Sequence, residues 1–221
     1  MKHGTKLLVA ALLSCGSLQA QNVVPAYAIQ GKDSTCQIFV YSPGEREGLH
    51  LAFLGDDEKW HEVGQLCASD YGPWGAEKRM FDPFVTKAND GTWRAVWAVN
   101  STSPVFAAAY SEDLVTWRPQ DYPVVREKGI HQPVVYQMGD GSFDIYFKTA
   151  KGKRYVQATE DFRHFVEDSL ASEADDILWQ VDNAEVNGKS YKGNAFDVPA
   201  MHLNYIRSWF AALKKDAALY A

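Results

Sequence analysis

Short apolar runs alternate with polar turns over most of this chain. The runs at residues 92–99, 105–110, 142–149 and 154–158 are rich in aromatic and β-branched side chains. No long stripe with helical spacing interrupts them before residue 199. This pattern is typical of β-strands that are joined by tight turns. It predicts an all-β domain.

The pattern also repeats with a fixed spacing. The first set of landmarks is Asp82-Pro83, Asp90-Gly91 and Trp97, and the second is Gln132-Pro133, Asp140-Gly141 and Phe147, each 50 residues later. Further along, Ser111 and Trp117 are echoed by Thr159 and Phe165 at a spacing of 48. A fainter copy precedes them, where residues 38–41 lead to Gly55-Asp56 and Trp60.

Each copy divides into strands in the same way. Asp-Gly pairs are strong hairpin signals, because both central positions of the turn need positive φ. A short fourth strand is expected around Trp117 and Phe165, after the third strand of each copy. Strand-rich repeats of about 40–50 residues are typical of β-propeller blades. The predicted fold is therefore β-propeller-like, and an ordinary sandwich with similar hairpins is the alternative.

The two ends of the chain differ from the repeats. Residues 1–20 have a basic start, a short apolar core and the cleavage pattern Leu18-Gln19-Ala20, as a secretory signal does. The apolar core is too short to span a bilayer. The segment around Cys15 also resembles a lipobox, so a lipid anchor at Cys15 is an open alternative. Either route places the protein in the periplasm or outside the cell.

The C-terminal residues predict a helix. Leu203, Ile206, Phe210 and Leu213 recur at helical spacing after Pro199, which the first turn of a helix tolerates. We interpret this stripe as facing the core of the domain. The predicted organisation is a signal at 1–20, a β-propeller-like domain at 21–198 and a packed helix at 199–221.

Composition limits the possible functions. The net charge is −6, and no cluster of Lys and Arg is as dense as in a nucleic-acid-binding surface. The sequence has no Cys-x-x-Cys, His-Glu-x-x-His, phosphate-loop or Gly-x-Ser-x-Gly motif, and its six histidines are scattered. We expect neither a metal nor a cofactor. Cys36 and Cys67 remain after cleavage of the signal, either as a disulfide or as two buried thiols.

Aromatic residues make up 13% of the chain, including seven tryptophans. Flat rings stack on the apolar faces of sugars, so exported proteins of this composition often bind carbohydrate. Trp60, Trp117 and Phe165 hold equivalent repeat positions and are assigned to the core. Tyr71 and Trp74 lie in an irregular stretch between repeats, where binding residues are more frequent, and are candidates for sugar contact.

These residues resemble a known family. The run Phe81-Asp82-Pro83-Phe84-Val85, followed by residues 90–97 with Asp90-Gly91-Thr92 and Trp97, is similar to a blade of the family 43 glycoside hydrolases. Those enzymes are five-bladed propeller arabinosidases and xylosidases. The residues from Ser111 to Trp117 resemble the Ser-x-Asp-Leu-x-x-Trp segment of the same family. The resemblance covers roughly residues 36–166.

The resemblance implies inverting hydrolysis of arabinose- or xylose-containing saccharides. In this mechanism a base carboxylate activates water and a second carboxyl group protonates the leaving oxygen. Asp82 matches the Asp-Pro position and is the candidate base. Trp97, His131 and Gln132 are the substrate-binding candidates that the repeat positions supply.

The sequence also departs from the family. The next copy reads Ile130-His131-Gln132-Pro133, where the family usually has Trp-Ala-Pro and often a glutamate, and no blade that carries the acid is recognisable. The carboxylates available to replace the acid are Glu127, Asp144, Asp175, Asp176 and Glu185. Three blades do not close an ordinary ring, so strands at 23–29 and 177–181 or a shortened, open arrangement are alternatives. The sequence thus leaves two main functions open, a glycoside hydrolase and a non-catalytic carbohydrate-binding relative, and a structural or protein-binding propeller fragment is a third option.

Overall fold

Twelve strands and one helix make up the described part of the chain. The computed structural model describes residues 34–72, 77–172, 177–179 and 181–219. The predicted signal, Cys15, the expected strand at 23–29, Trp74, Asp175 and Asp176 lie outside these ranges. An all-β fold with a C-terminal helix is confirmed.

The strands are β1 (Thr35–Tyr41), β2 (Leu49–Leu54), β3 (Trp60–Cys67), β4 (Phe81–Lys87), β5 (Trp93–Ala98), β6 (Phe106–Ser111), β7 (Ile130–Gln137), β8 (Phe143–Thr149), β9 (Arg154–Thr159), β10 (Ser169–Leu170), β11 (Asp182–Val186) and β12 (Lys189–Pro199). The helix α1 spans Ala200–Leu219. The strand expected at 177–181 begins later than predicted, at Asp182.

The strands form three sheets. One is a five-stranded ring in the order β1-β12-β11-β3-β2, which the parallel pair Val186 and Trp60 closes. The second has the order β4-β5-β6 and the third the order β10-β9-β8-β7. The described residues do not show a closed ring of blades, so the propeller stays a hypothesis.

The 50-residue repeat corresponds to two antiparallel sheets with matching turns. Asp90 Oδ1 accepts a hydrogen bond from the Thr92 amide at 2.9 Å, and Asp140 Oδ1 accepts the equivalent bond from Ser142 at 2.9 Å. Gly91 has φ of 84° and Gly141 of 92°, a conformation that glycine adopts without steric cost. The two predicted hairpins are therefore present, but only the glycine of each Asp-Gly pair has positive φ, and its amide hydrogen closes a turn on the carbonyl three residues earlier. The expectation of two positive-φ residues in each turn is wrong, because these loops are one residue longer than the two-residue turn that needs them.

The fourth strand of each repeat differs from the expectation. Trp117 and Phe165 make only isolated bridges, to Ser111 and Thr159. The intervening chain instead forms a turn in which Asp113 Oδ1 accepts the amide hydrogens of residues 115 and 116. Since these amides are already bonded, they do not extend a strand ladder. In the second repeat the fourth strand forms later, as β10.

A buried arginine lies where the two repeat sheets meet. Arg94, on β5, is only 8% exposed. Its guanidinium carbon lies 5.0 Å from the ring centre of Phe143 and 5.4 Å from those of Tyr110 and Phe162. Phe143 and Phe162 belong to the second repeat, so these cation–π contacts connect the two sheets.

Helix α1 packs against the ring through its first three turns. Leu203 and Ile206 are buried, and Phe210 packs beside them against the same core. Leu213 is 49% exposed, so the core-facing stripe is one turn shorter than predicted. The packed surface of the ring ends near Gly64, where the Phe210 ring covers the backbone. No helix among the described residues is both long and apolar enough to cross a membrane.

The cysteines lie on different strands of the ring. Cys36 pairs with Val198 across β1 and β12, and Cys67 pairs with Leu49 across β3 and β2. Both residues are described and no disulfide joins them. Burial raises the pKa of the Cys67 thiol to about 12, with a further contribution from Asp70. Of the two alternatives that the sequence left open, the structure has thiols.

A buried hydrogen bond connects the ring to the first repeat. Asn194 on β12 is 7% exposed, and its Oδ1 accepts the Val85 amide hydrogen of β4 at 2.8 Å. Strand β4 in turn contacts β7. The strands β12, β4 and β7 therefore lie side by side, one from each sheet.

Replacing Asn194 with alanine should destabilise the protein by about 1–3 kcal/mol, because the buried Val85 amide loses its acceptor. The free energy of unfolding in urea measures this effect. Asn183→Ala, on the exposed side of β11, is the control and should change stability by less than about 0.5 kcal/mol. Equal losses in both variants would contradict the assignment.

Candidate functional site at two matched bulges

The Asp-Pro and Gln-Pro pairs occupy the same structural position in the two repeats. In β4 the pairing shifts between Phe81 and Phe84, so that Asp82 and Pro83 together lie opposite Trp97. In β7 it shifts between His131 and Val134, so that Gln132 and Pro133 lie opposite Phe147. Two residues facing one define a β-bulge, a device that redirects a side chain beside many active sites.

Both bulges contain an unusual backbone conformation. Asp82 has φ of 46° and Gln132 has φ of 48°, in the left-handed region that non-glycine residues rarely adopt. A residue that precedes proline normally prefers an extended backbone. Each such conformation costs on the order of 1–3 kcal/mol, and such costs concentrate at functional sites. The bulges are therefore the first place to look for function.

The two bulges meet across the junction of β4 and β7. Asp82 Oδ2 accepts the backbone amide hydrogen of Gln132 at 3.1 Å. Asp82 Oδ1 has no hydrogen-bond partner among the residues that the structure describes. The side chain is exposed at the surface. One oxygen of this carboxylate is thus fixed in place, while the other faces solvent.

A short polar chain continues from Gln132 to an aromatic ring. Lys148 donates to Gln132 Oε1 at 2.8 Å, and its ammonium lies 4.2 Å from the ring centre of Trp179. The Tyr136 hydroxyl fixes the backbone of the preceding residue, Leu178, since it accepts from the Leu178 amide and donates to its carbonyl. Trp179 is therefore held beside Asp82 although it lies almost 100 residues away in the chain.

These residues line a cleft of about 310 Å³. Its walls include Asp82, Gln132, Trp179, Lys192 and Glu45. Glu45 is the other carboxylate among the described residues of this lining, and its side chain is 43% exposed. It lies 3.4 Å from the Arg79 guanidinium. The cleft thus contains two carboxylates, an aromatic ring and an ammonium group.

The position of Glu45 follows from its backbone. The Glu45 carbonyl accepts the Met80 amide hydrogen at 2.7 Å. Asp82 is two residues beyond Met80, roughly 7 Å along an extended strand. The loop before β2 is therefore held against the start of β4, with Glu45 and Asp82 on the same cleft.

A second depression adjoins Asp82 on its other side. It measures about 450 Å³ and is lined by residues that include Asp82, His131, Arg79 and Asn100. Asp82 lies between the two depressions. The structure thus brings together three of the residues predicted from the sequence, Asp82, His131 and Gln132.

The remaining predicted binding residues lie elsewhere. Trp97 is completely buried in the core, with its indole nitrogen 3.4 Å from Ser69 Oγ, so no sugar can reach its ring in this structure. It is the residue opposite the first bulge and packs beneath the cleft. Tyr71 packs on Tyr122 and donates to Ser103 Oγ at 3.1 Å, away from the lining of both depressions. The structure does not describe Trp74.

The three candidate acids that the structure describes also lie away from the cleft. Glu127 binds Lys151 at 3.2 Å and Lys153 at 3.5 Å. Asp144 on β8 pairs with Tyr136 on β7, and Glu185 is exposed on β11 opposite Ser190. None of the three is among the residues that line either depression next to Asp82.

Glu45 and Trp179 are the cleft residues that the sequence did not indicate. Glu45 follows Pro43-Gly44, a turn signal close to the end of β1, and Trp179 lies between β10 and β11, outside any strand. Their positions in a turn and in a loop were therefore the one feature of the sequence that could have indicated them as binding residues. Nothing in the local pattern relates either residue to Asp82.

No protein family model and no curated protein matches the chain. Among solved structures, it is similar to a candidate exo-beta-1,3-galactanase from Bifidobacterium bifidum s17, with 17% identity, a TM-score of 0.43 and coverage of 66% of this chain and 52% of that one. It is also similar to an endo-1,4-beta-xylanase from Bacteroides thetaiotaomicron VPI-5482, with 17% identity, a TM-score of 0.44 and coverage of 58% and 44%. This chain spans about half the length of those proteins. A similarity of this extent does not assign an activity to the cleft.

The left-handed backbone at Gln132 predicts that replacement by valine or by glycine has opposite effects on stability at Gln132 and at its neighbour His131. At Gln132, valine should be less stable than glycine by about 1–3 kcal/mol, because a β-branched residue is strained at positive φ. At His131, which does not have positive φ, valine should instead be more stable than glycine by about 0.5–1 kcal/mol. Urea unfolding of the four variants measures both differences. The same order at both positions would contradict the bulge geometry.

Proposed function

We propose that the protein is a glycoside hydrolase that acts on arabinose- or xylose-containing oligosaccharides, with Asp82 as the base. The observation that carries this proposal is the bulge that presents Asp82 into a cleft shared with Glu45. The sugar type follows from the resemblance of residues 36–166 to family 43. Hydrolysis would take place outside the cytoplasm, as the signal-like residues 1–20 suggest.

Asp82 has the properties of a base that activates water. The Gln132 amide fixes one carboxylate oxygen at 3.1 Å, and the other oxygen is directed to solvent. A positioned base must reach its proton through a hydrogen bond of about 2.6–3.2 Å or through one water. The exposed oxygen of Asp82 is available for such a bond.

Glu45 supports the second half of the mechanism. Inverting glycosidases use two carboxyl groups about 6.5–9.5 Å apart, which leaves room for a water and the sugar ring. The hydrogen bond from the Met80 amide to the Glu45 carbonyl holds the backbone of Glu45 beside Met80. Asp82 lies two residues beyond Met80 along the extended chain, so the two carboxylates start from neighbouring backbone positions. Glu45 takes the place of the acid that the sequence did not reveal.

Trp179 supplies a flat apolar surface in the same cleft, and Lys192 and the Gln132 side chain supply polar groups beside it. A sugar ring has one apolar face and a rim of hydroxyl groups. This combination of ring, donors and acceptors is the one expected of a site that orients a small polar ligand.

One observation favours a second function, the non-catalytic binding of the same sugars. Glu45 forms an ion pair with Arg79 at 3.4 Å. An ionised carboxylate cannot donate a proton, so hydrolysis requires Glu45 to leave this pair when substrate binds. If the pair persists, the cleft retains its sugar-binding surface without an acid.

The experiment is an assay of nitrophenyl arabinofuranosides and xylopyranosides, together with arabinan and xylan oligosaccharides. We expect hydrolysis by the unmodified protein and a loss of about 10²–10⁴-fold in kcat for Asp82→Asn and for Glu45→Gln. Trp179→Ala should weaken binding by about tenfold, or roughly 1.4 kcal/mol. Glu185→Gln removes an exposed carboxylate outside the cleft and should leave the rate unchanged.

Other results separate the two functions. Binding without turnover, weakened by Trp179→Ala, would support the binding protein and reject the hydrolase. Turnover that survives Asp82→Asn would show that Asp82 is not the base. The absence of both binding and turnover across the panel would reject both functions.

A further inference from the structure

The depression on the far side of Asp82 is rich in hydrogen-bond donors. It measures about 450 Å³, which is enough for a small polar ligand. Its polar lining among the described residues consists of Arg79, Asn100, Ser101 and His131, with Asp82 at the border to the cleft. A guanidinium only donates, and an amide, a hydroxyl and an imidazole each have a donor to offer. The lining therefore suits a ligand group that only accepts hydrogen bonds.

A turn of the backbone fixes the orientation of Asn100. Asn100 Oδ1 accepts the amide hydrogens of Thr102 at 2.9 Å and Ser103 at 2.7 Å. A flipped side chain would set its NH₂ group against these two donors, so the oxygen is the atom that faces the turn. Asn100 Nδ2 makes no hydrogen bond with the part of the chain that the structure describes. It is available as a donor to a ligand in the depression.

Arg79 connects the depression with the cleft through a loose ion pair. Its Nη1 lies 3.4 Å from Glu45 Oε1 and 3.5 Å from Glu45 Oε2. Charge-assisted hydrogen bonds are normally about 2.7–2.9 Å long. The two side chains are also 34% and 43% exposed, and exposed ion pairs contribute little to stability. Arg79 can therefore exchange Glu45 for the carboxylate of a ligand at little cost.

The two sides of Asp82 differ in charge. In the cleft, the carboxylates of Glu45 and Asp82 lie beside the ammonium of Lys192. In the depression, Asp82 is the one acidic residue among the described residues of the lining, and Arg79 is the basic one that is always charged. An anionic group therefore meets less repulsion beside Arg79 than beside Lys192.

We propose that the depression binds the carboxylate of a uronic acid unit, so that the preferred ligands are arabinose- or xylose-containing oligosaccharides that carry such a unit. The carboxylate pairs with Arg79 and accepts further hydrogen bonds from Asn100 and His131. The neutral part of the saccharide lies in the cleft beside Trp179. Binding releases Glu45 from Arg79, which is the step that hydrolysis requires. This ligand class rests on the proposed function, because it is the substrate class of the same site.

The test is isothermal titration calorimetry of the full chain with two forms of one compound. The first form is xylotriose with a glucuronic acid branch, and the second is the methyl ester of that acid, which has nearly the same shape and no charge. We expect the acid to bind about tenfold more tightly than the ester, because charge-assisted hydrogen bonds are stronger than neutral ones.

Three variants locate this preference. Arg79→Gln should remove the preference for the acid over the ester. Lys192→Gln, which removes the cation on the cleft side of Asp82, should keep it. Asn100→Asp retains the acceptor of the turn and replaces the donor with a second acceptor, so it should weaken binding of the acid and not of the ester. It provides the second variant if Arg79→Gln does not fold.

Equal affinities for the acid and the ester would overturn the uronate site and leave the proposed function in place. Loss of the preference in Lys192→Gln, with its retention in Arg79→Gln, would overturn it as well. Binding of neither form would also reject the uronate site. Turnover or binding of the neutral saccharides would then show that the proposed function stands without it, and their absence would show that both fail.

Discussion

The missing amide hydrogens of Pro83 and Pro133 are the constraint on which the cleft depends. A proline cannot donate to a strand ladder, so it is confined to edges and bulges of a sheet. In β4 and β7 the chain places proline and its predecessor opposite one residue of the next strand, Trp97 or Phe147. Because these rings are fully buried, the bulged strand bends around them and directs Asp82 and Gln132 outward.

The bulges would not form one site without the contacts that align the sheets. Asn194 binds Val85 immediately beyond the first bulge, and Arg94 lies among aromatic rings of both repeats. Both residues are buried polar groups whose hydrogen bonds or ring contacts require one particular arrangement of the sheets. Apolar packing is less directional, so these contacts contribute much of the alignment that lets Asp82 meet the Gln132 amide.

The cleft combines strained, well-anchored residues with exposed ones. Asp82 and Gln132 are held by the bulges, whereas Glu45 lies on a turn that one backbone bond attaches to β4. The base of the proposed mechanism is thus positioned in advance, and the acid depends on a contact with Arg79 that substrate must replace. This difference explains why hydrolysis and binding without hydrolysis are the two functions that the same geometry supports.

Local pattern was enough to predict the first three strands of each repeat, the two Asp-Gly hairpins and the helix, because each depends on residues close together in sequence. It was wrong for the fourth strand, where the side chain of Asp113 binds the backbone amides instead. The 50-residue echo also related Asp82 to Gln132, since equivalent positions of adjacent repeats become neighbours in space. Periodicity did not distinguish the buried Trp97 from a sugar-binding ring, because the face that a strand residue covers depends on the sheet packed against it. Only the tertiary structure brought Glu45 and Trp179 to Asp82. Their proximity results from packing between different sheets, for which no short-range pattern in the chain exists.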